Sequence, residues 1–330
     1  MAIEGVDPQR IGGELGGAAV TVDPALPEPV RVGIGELVRR PLGPGAEPRI
    51  HVGPTLPELG PGERLLWMHS TNAGVDTLLA ASAGWPTGTL LTRTVGRMGE
   101  RIGQYVLAWA LAELQNIPAF LDQHVSRTWN RLPTELADGT LAVVLGTGGI
   151  GAGIAAALRP SGIRTVGAAR TARPVPGFDE VFALGAPDGS GPPDGSGAPS
   201  PELAAALGAA RWVIDALPLT PATAGLLGSG FFGAMDGATF LNVGRGATVR
   251  TEALGRALEE GRVAHAVLDV LPEEPVGPGS PAWELPRTTL TSHSAGPTTA
   301  ADVLTDFRAA WHALEAGRLP DLAVHLARGY

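Results

Sequence analysis

The chain has 330 residues, a formal net charge of −9 and no cysteine, which excludes disulfides, thiolate metal sites and a cysteine nucleophile. All 24 basic residues are arginines, which excludes Schiff-base chemistry on lysine and a Walker-type phosphate lysine. The negative net charge argues against nucleic acid as a partner. The sequence contains no apolar run of about 18 residues, so it predicts no membrane span. Roughly 100 to 200 residues per domain predict two domains, and we expect a cytoplasmic protein without a metal site.

The N-terminal stretch, residues 1–62, is rich in glycine and proline, and we expect strands and loops there without a helix. Its candidate strands are short apolar runs at 18–22, 30–34 and 49–52. The first clear strand is 64–71, which runs into the segment NAGVD at 72–76. A further strand is predicted at 89–92.

A long helix is predicted from Gly99 to Ala119. Apolar residues recur there at helical spacing, and no proline interrupts the pattern before Pro118. A long helix just before a nucleotide-binding unit is a natural boundary between domains. The tail, 299–316, has the same amphipathic spacing and is also predicted to be helical.

The most informative stretch is LAVVLGTGGIGAGIAAAL at 141–158, which is typical of a strand, a glycine turn and a helix. Three of its glycines have the G-x-G-x-x-G spacing of a dinucleotide site. The first makes the turn, the second lets a pyrophosphate approach the backbone, and the third lets helix and strand pack closely. The amides at the helix start favour an anion. The predicted cofactor turn comprises Gly146, Thr147, Gly148, Gly149, Ile150 and Gly151.

The rest of the chain alternates between predicted strands and helices. The apolar runs lie at 163–168, 180–184, 211–217, 238–243, 263–270 and 288–291. Such alternation predicts a parallel, doubly wound sheet. The segment 185–201 contains PDGSG twice, and its composition predicts a mobile surface linker without a role in the chemistry.

Polar residues that follow the apolar runs are the candidates for chemistry, because active sites of open α/β sheets lie beyond the carboxyl ends of the strands. Three such residues are Arg245, Glu274 and His293. An arginine can fork onto a carboxylate, and a histidine held by a carboxylate can donate a proton near neutral pH. Each alone has an ordinary structural alternative, whereas together the three suit reduction of a 2-oxo acid.

The cofactor's ribose can be assigned from the residues after the second strand of the glycine-turn unit. A site selective for NAD has an acidic residue about 20 positions beyond the turn, on the ribose 2′-hydroxyl. Here no acidic residue occurs before Asp179, and Arg170, Thr171 and Arg173 occupy the strand end. Two guanidiniums and a hydroxyl suit a 2′-phosphate. The pattern predicts NADP(H) in preference to NAD(H), with two solvated arginines as the alternative.

Several motifs, taken together and in this order, resemble the D-isomer-specific 2-hydroxyacid dehydrogenase family, most closely its glyoxylate/hydroxypyruvate reductase branch. The resemblance covers about residues 49–317. The motifs are NAGVD at 72–76, GTGGIG at 146–151, LPLTPAT at 217–223, NVGRG at 242–246, LDVLPEEP at 268–275 and TSHSAG at 291–296.

The resemblance implies roles for the residues of these motifs. Arg245 would hold the substrate's carboxylate and carbonyl, His293 would protonate the carbonyl oxygen, and Glu274 would keep His293 charged. Asp269 would contact the nicotinamide carboxamide. The substrate carboxylate would bind in a loop made of Asn72, Ala73 and Gly74. Further cofactor contacts implied by the resemblance are Leu217, Pro218, Thr223, Val243, Gly244 and His293 itself.

The sequence departs from the family pattern at three places. Ser292 stands where the family usually has proline, and Gln104 stands where it usually has glutamate; we expect both changes to leave the chemistry intact. Residues 1–48 show little of the family's first strand and helix. The Glu274 and His293 pair speaks against the related formate dehydrogenase branch, which has glutamine in place of the glutamate.

The predicted fold is α/β, with a doubly wound (Rossmann) cofactor domain at 99–293 inserted in a smaller, flavodoxin-like substrate domain. That second domain would comprise 1–98 and a C-terminal helix in 294–330. The predicted reaction is NADPH-dependent reduction of a small 2-oxo acid of the glyoxylate or hydroxypyruvate class. A nucleotide-sensing interaction protein on the same fold stays an alternative, as does a reductase of a larger 2-oxo acid or an imine. The resemblance also implies a homodimer formed through the predicted helix 99–119, in which Trp129 is a candidate contact for the partner's substrate. Packing of Trp129 within its own subunit is the alternative.

Overall fold

The structure is a computed structural model that describes residues 5–39, 43, 48–60, 62–81, 85–185 and 197–326. The chain divides into two compact units. The first unit comprises Met1–Arg97 and Thr298–Tyr330, and the second comprises Met98–Pro297.

The described residues form ten α-helices and eleven strands. In chain order these are α1 (Pro8–Glu14), β1 (Ala19–Val22), α2 (Glu28–Val38), β2 (Arg49–Gly53), β3 (Leu65–Ser70), α3 (Asp76–Ala81), β4 (Leu90–Arg93), α4 (Met98–Leu114), α5 (Ile117–Ser126), β5 (Leu141–Leu145), α6 (Gly149–Leu158), β6 (Arg164–Ala169), β7 (Glu180–Ala183), α7 (Pro201–Ala209), β8 (Trp212–Asp215), α8 (Ser229–Phe232), β9 (Ala238–Asn242), α9 (Thr251–Glu259), β10 (Val263–Leu268), β11 (Thr288–Leu290) and α10 (Ala300–Glu315).

The first unit is built on a parallel sheet with the strand order β1-β2-β3-β4. The C-terminal segment lies against β4, where Thr92 and Ala323 form an antiparallel bridge and Val324 N donates to Leu91 O. The order is sequential, whereas the flavodoxin arrangement has five strands with the first one inside the sheet. The described residues therefore form an α/β unit with a simpler sheet.

The prediction that residues 1–62 contain no helix is wrong, because α1 and α2 lie there. The apolar run 30–34, predicted as a candidate strand, is the interior of α2. In α2 the residues Val30, Ile34 and Val38 recur every four positions and are buried, and the helix packs against α10. Burial of a whole face outweighs the helix penalty of glycine, which is about 1 kcal/mol per residue.

The terminal helix α10 supplies a large part of the core of the first unit. Phe307 is fully buried and stacks on Trp67 of β3, with ring centroids 4.9 Å apart and planes 7° apart. On the same helix, Asp306 accepts hydrogen bonds from the amides of Val95 and Gly96, each 2.7 Å long. The end of the chain is thus packed among the elements formed by its beginning.

The second unit is built on a seven-stranded parallel sheet with the order β11-β10-β9-β8-β5-β6-β7. The strand order reverses between β5 and β8, which is the doubly wound arrangement that the alternating pattern predicts. Ligands of such sheets bind at the carboxyl edge beside this reversal. The predicted α/β fold class is therefore confirmed.

The predicted single helix from Gly99 to Ala119 is two helices in the structure. The first, α4, ends at Leu114, and α5 begins at Ile117 after Asn116 adopts a left-handed conformation with φ 53°. The break lies just before Pro118, because proline fits the first turn of a helix but not its interior. None of the residues of α5 is buried.

A carboxylate of α4 fixes this helix to the sheet. Glu113 Oε1 accepts a hydrogen bond of 2.7 Å from Arg211 Nε, and Oε2 accepts bonds from Trp212 Nε1 at 3.0 Å and Thr239 Oγ1 at 2.8 Å. Since these donors lie at the starts of β8 and β9, the contact is at the amino edge of the sheet, opposite the edge where ligands bind.

Most of the predicted linker at 185–201 lies outside the described residues, which resume at 197. None of the helices in the described part of the chain has the length and apolarity needed to cross a bilayer.

Candidate active site

The glycine turn connects β5 to α6 where the strand order reverses. Gly146 has φ 98°, and a Cβ there would lie 2.8 Å from Ala216 O, so the position requires glycine. A Cβ on Gly151 would overlap the carbonyl of Gly146. Apart from the adjoining backbone, no atom of the described residues lies within 4 Å of a Cβ built on Gly148 or Gly149. The turn thus leaves open space at the start of α6, which has no side-chain cap, and a pyrophosphate fits there.

The other two residues of the turn pack inward. A Cβ on Gly167 of β6 would lie 2.6 Å from Thr147 Cγ2, which places Thr147 against that strand. Ile150 packs against a buried apolar cluster that includes Val144 and Ile154. Their side chains therefore support the turn.

The predicted ribose-phosphate residues directly follow β6. Arg170, Thr171 and Arg173 are all exposed. The strand end lies beside the glycine turn, because Gly146 N donates to Ala168 O at 2.8 Å. The structure therefore places two guanidiniums on the loop that begins next to the turn, at the carboxyl edge of the sheet.

The remaining predicted cofactor contacts lie in two loops that pack on each other: Leu217, Pro218 and Thr223 after β8, and Val243 and Gly244 after β9. The first loop is fastened by Thr223, whose Oγ1 donates to Pro218 O at 2.6 Å and accepts from Thr220 N at 2.8 Å. A Cβ on Gly244 would lie 2.7 Å from Leu217 O, so the two loops touch through their backbones.

The structure brings His293 and Glu274 together. His293 Nδ1 lies 2.7 Å from Glu274 Oε2, and the side chains are 55% and 32% exposed. Glu274 Oε1 accepts a bond of 2.7 Å from Leu271 N, which fixes the carboxylate. Because Nδ1 faces this carboxylate, Nε2 is the ring nitrogen that remains to exchange a proton with a ligand.

The loop that carries His293 is organised by Asp269, which is 5% exposed. Asp269 Oδ1 accepts from Thr291 Oγ1 at 2.7 Å and from the amides of Ser294 and Ala295 at 2.8 and 3.2 Å. Tyr105 of α4 bonds Thr291 Oγ1 at 2.6 Å. The carboxylate predicted to touch the nicotinamide therefore also holds the histidine loop.

Arg245 follows β9. Its backbone is linked to two polar residues that the sequence analysis did not single out, Thr248 and Asp215. Its carbonyl accepts from Thr248 Oγ1 at 2.6 Å and from Asn242 Nδ2 at 3.2 Å. Thr248 Oγ1 also lies 2.5 Å from Asp215 Oδ2, at the end of β8. Burial raises the pKa of Asp215 from 3.8 to about 7. The rule that identified Arg245 would have found Asp215, which ends the apolar run WVID.

The predicted substrate loop lies in the first unit, after β3. Ser70 Oγ bonds the amide of Asn72 at 3.2 Å, and Arg93 Nη1 donates to Ala73 O at 3.0 Å. Asn72 is exposed, and Ala73 and Gly74 are half-buried. The loop is thus held by its neighbours on β3 and β4.

Trp129 lies beyond α5 and is fully exposed, so its own chain does not cover it. Exposed apolar residues cluster in the same part of the chain: Ile117, Phe120, Leu121, Val125 and Leu136. Large exposed apolar patches are commonly interaction sites.

The sequence of most of the second unit matches a known family. The profile of the D-isomer-specific 2-hydroxyacid dehydrogenase NAD-binding domain matches residues 107–295. The chain belongs to this family. It is an NAD(P)-dependent 2-hydroxyacid dehydrogenase by its family and its relatives.

Two relatives cover most of the chain. An uncharacterized protein in the mprR 3′ region of Streptomyces coelicolor is 53% identical over 269 residues, which is 81% of this chain and 90% of the relative. Glyoxylate/hydroxypyruvate reductase A of Serratia proteamaculans is 29% identical over 273 residues, 81% and 82% of the two chains.

Two solved structures share the fold. A D-isomer-specific 2-hydroxyacid dehydrogenase from Xanthobacter autotrophicus Py2, in complex with NADPH and MES, has a TM-score of 0.78 and 25% identity and covers 94% of this chain and 99% of its own. An NADPH-dependent glyoxylate/hydroxypyruvate reductase from Sinorhizobium meliloti, with NADP and sulfate, has a TM-score of 0.74 and 23% identity, covering 95% and 99%.

The backbone before His293 differs from what a proline there would adopt. Ser292 has φ 55° and His293 has φ 54°, both left-handed. Proline has φ near −65°, so it cannot adopt the conformation of Ser292. The backbone at position 292 therefore excludes the proline that the family pattern has there.

We predict that Ser292→Pro displaces His293 from Glu274 and lowers both kcat and the unfolding temperature. Ser292→Gly is the matched control, because glycine adopts positive φ without steric cost, and its stability should stay within about 1 kcal/mol of the wild type. Thermal unfolding and steady-state kinetics of the three proteins measure this. A proline variant as stable and active as the glycine variant would contradict the left-handed backbone.

Proposed function

We propose that this dehydrogenase reduces a small 2-oxo acid of the glyoxylate or hydroxypyruvate class to the 2-hydroxy acid, with NADPH as the cofactor. The observation that carries the proposal is the His293 and Glu274 pair, which lies after β10 and β11 beside the strand that presents Arg245. The name of the Serratia relative supports the substrate class.

In this proposal the second unit binds the cofactor, and Asn72, Ala73 and Gly74 are the candidate residues for the substrate's carboxylate. Arg245 binds the substrate's carboxylate and carbonyl oxygen through bidentate hydrogen bonds from its guanidinium. The bound nicotinamide supplies a hydride to the carbonyl carbon. His293 Nε2 gives its proton to the carbonyl oxygen, which becomes the hydroxyl, and Glu274 stabilises the imidazolium before that transfer.

The proposed role of His293 gives a prediction about proton transfer. His293→Ala should lower kcat by about 10²- to 10⁴-fold, the usual contribution of a general acid, while NADPH binding is retained. Turnover is measured as NADPH oxidation with a panel of 2-oxo acids, from glyoxylate to aryl pyruvates. The panel also separates the proposed substrate class from larger acids, and a nucleotide-sensing protein would bind NADPH without consuming it.

The matched control is His312→Ala. His312 Nδ1 lies 2.9 Å from Glu315 Oε2 in α10, and its side chain is 59% exposed, close to the 55% of His293. This variant also loses an imidazole beside a carboxylate, and its kcat should stay at the wild-type value. Equal kcat in the two alanine variants would refute the role of His293.

The cofactor preference is a separate prediction. In this proposal Arg170 and Arg173 bind the 2′-phosphate, with Thr171 as an additional donor. A hydrogen bond to a charged group contributes roughly 1.5 to 3 kcal/mol, so Arg170→Ala should weaken NADPH binding about ten- to a hundredfold and leave NADH binding nearly unchanged. Fluorescence titration of both cofactors measures the two dissociation constants.

Arg164→Ala is the control for this experiment, because Arg164 is an exposed arginine at the opposite end of β6. It removes the same charge from the protein but should leave both dissociation constants unchanged. A wild-type enzyme with equal kcat/KM for NADPH and NADH would refute the preference before any variant is made.

We also propose that the chain forms a homodimer through the exposed apolar residues of α5. In that dimer Trp129 is the candidate contact for the substrate bound by the other copy. Leu121 and Val125 are 64% and 83% exposed, so Leu121→Glu with Val125→Glu should convert a dimer to a monomer in sedimentation at micromolar concentration. Val32→Glu, at a half-exposed site on α2, should leave the dimer intact. A monomeric wild-type protein would exclude this assembly.

A further inference from the structure

The buried Asp215 lies at the carboxyl end of β8, next to the strand that presents Arg245. Its side chain is fully buried. Oδ1 accepts a hydrogen bond of 2.9 Å from Leu217 N, and Oδ2 lies 2.5 Å from Thr248 Oγ1. Thr248 is fully buried as well, and its Oγ1 lies 2.6 Å from the carbonyl oxygen of Arg245. Three oxygens thus form a short buried chain that ends on the backbone of Arg245.

The number of protons shared by these three oxygens follows from which of the groups can donate a hydrogen bond. A backbone carbonyl only accepts hydrogen bonds, so the single proton of Thr248 Oγ1 must point to Arg245 O. The 2.5 Å contact between Thr248 Oγ1 and Asp215 Oδ2 then needs a second proton. The carboxyl group of Asp215 is the group that can carry it.

We propose that Asp215 is a protonated carboxylic acid which, through Thr248, fixes the backbone of Arg245 for substrate binding. Asp215 and Thr248 are positioning residues, since they act through Arg245. This part of the inference rests on the role given to Arg245 in the proposed function.

The surroundings of Asp215 favour the neutral form. Burial is the largest influence on its pKa and raises it to about 7, while the contacts with Thr248 Oγ1 and Leu217 N act in the lowering direction; no charged side chain of the described residues contributes to the shift. An ionised Asp215 could only accept a hydrogen bond, so the hydroxyl of Thr248 would have to donate to it. Thr248 Oγ1 and Arg245 O would then face each other at 2.6 Å with lone pairs alone, which is repulsive.

The hydrogen bonds from Asp215 through Thr248 also account for how the Arg245 backbone is held. The other bonds to Arg245 O, from Asn242 Nδ2 and Thr248 N, are both 3.2 Å long, so the 2.6 Å bond from Thr248 Oγ1 is the shortest of the three. Arg245 precedes a short 3-10 helix, Gly246–Thr248, and the hydroxyl closes that turn. Without the hydroxyl, the backbone of Arg245 keeps the two longer bonds and loses the shortest, so we expect its side chain to be positioned less tightly.

The positioning role is tested with Thr248→Val and Thr248→Ser. Valine keeps the shape without the hydroxyl, and it should raise KM for the 2-oxo acid and lower kcat/KM about ten- to a hundredfold, while the dissociation constant of NADPH is unchanged. Serine keeps the hydroxyl and should restore KM to within about twofold of the wild type. Thr165→Val is the control, because it removes a buried hydroxyl with no hydrogen-bond partner among the described residues and should leave KM unchanged.

The proton on Asp215 is tested with Asp215→Asn, since asparagine supplies a donor to Thr248 and an acceptor to Leu217 N at every pH. Below pH about 4 both states of the wild type hold the proton, so its stability relative to the variant is constant. From about pH 4 to 7 the unfolded aspartate ionises and the folded one does not, so the wild type loses stability relative to the variant. Above about pH 7 the difference stays constant. Urea unfolding between pH 4 and 9 measures it.

Infrared difference spectroscopy of the wild type against Asp215→Asn at pH 6 gives an independent readout. The C=O stretch of a protonated carboxylic acid should be present in the wild type and absent from the variant. No such band, or a stability difference that does not change with pH, would overturn the protonated Asp215. Equal KM in Thr248→Val, Thr248→Ser and Thr165→Val would overturn the positioning role. A wild-type enzyme without 2-oxo acid turnover would refute the proposed function and the positioning role with it, whereas unfolding and infrared measurements decide the proton without any substrate.

Discussion

The described strands of the second unit all run parallel, and this constraint determines where its candidate cofactor and catalytic residues lie. A parallel sheet covered on both faces buries its strands, so the residues that can meet a ligand are those just beyond the strand ends. Along this edge Gly146 follows β5, Arg170 follows β6, Arg245 follows β9 and His293 lies beyond β11. Residues separated by more than a hundred positions in sequence are thereby brought to one edge.

Polar groups at such an edge are partly buried, and the structure satisfies them with one another. Asp269 accepts bonds from Thr291 and from two amides of the loop that carries His293. Glu274 divides its two oxygens between that histidine and Leu271 N. An unpaired buried donor or acceptor costs about 1 to 3 kcal/mol, so each bond both stabilises the fold and fixes a functional side chain.

Apart from the run 30–34, the sequence predicted the strands and the glycine turn, and it singled out Arg245, Glu274 and His293, because apolar runs and the residues after them are local features. It did not predict α1 and α2. Their glycines and prolines obscure the helical pattern, and the face that they bury is seen only in the tertiary packing. The break of the long helix at Asn116 was also missed. The pattern of apolar residues continues through the break, and the left-handed turn that ends α4 leaves no periodic signal.

The positioning residues show a different limit of sequence reasoning. Asp215 follows an apolar run and could have been noticed, but its protonation depends on the distance between two oxygens and on complete burial. Thr248 has no pattern of its own and matters only because it lies between Asp215 and the carbonyl of Arg245.

The packing of α10 into the first unit has a consequence for biosynthesis. Phe307 and Trp311 belong to the same core as Val20, Val30 and Trp67, so this core is incomplete until α10 has been synthesised. The second unit is continuous, from 98 to 297, and its residues are all available earlier. Because domains generally fold as units during synthesis, we expect the second unit to fold before the core of the first unit is complete, although β1 to β4 precede it in the chain.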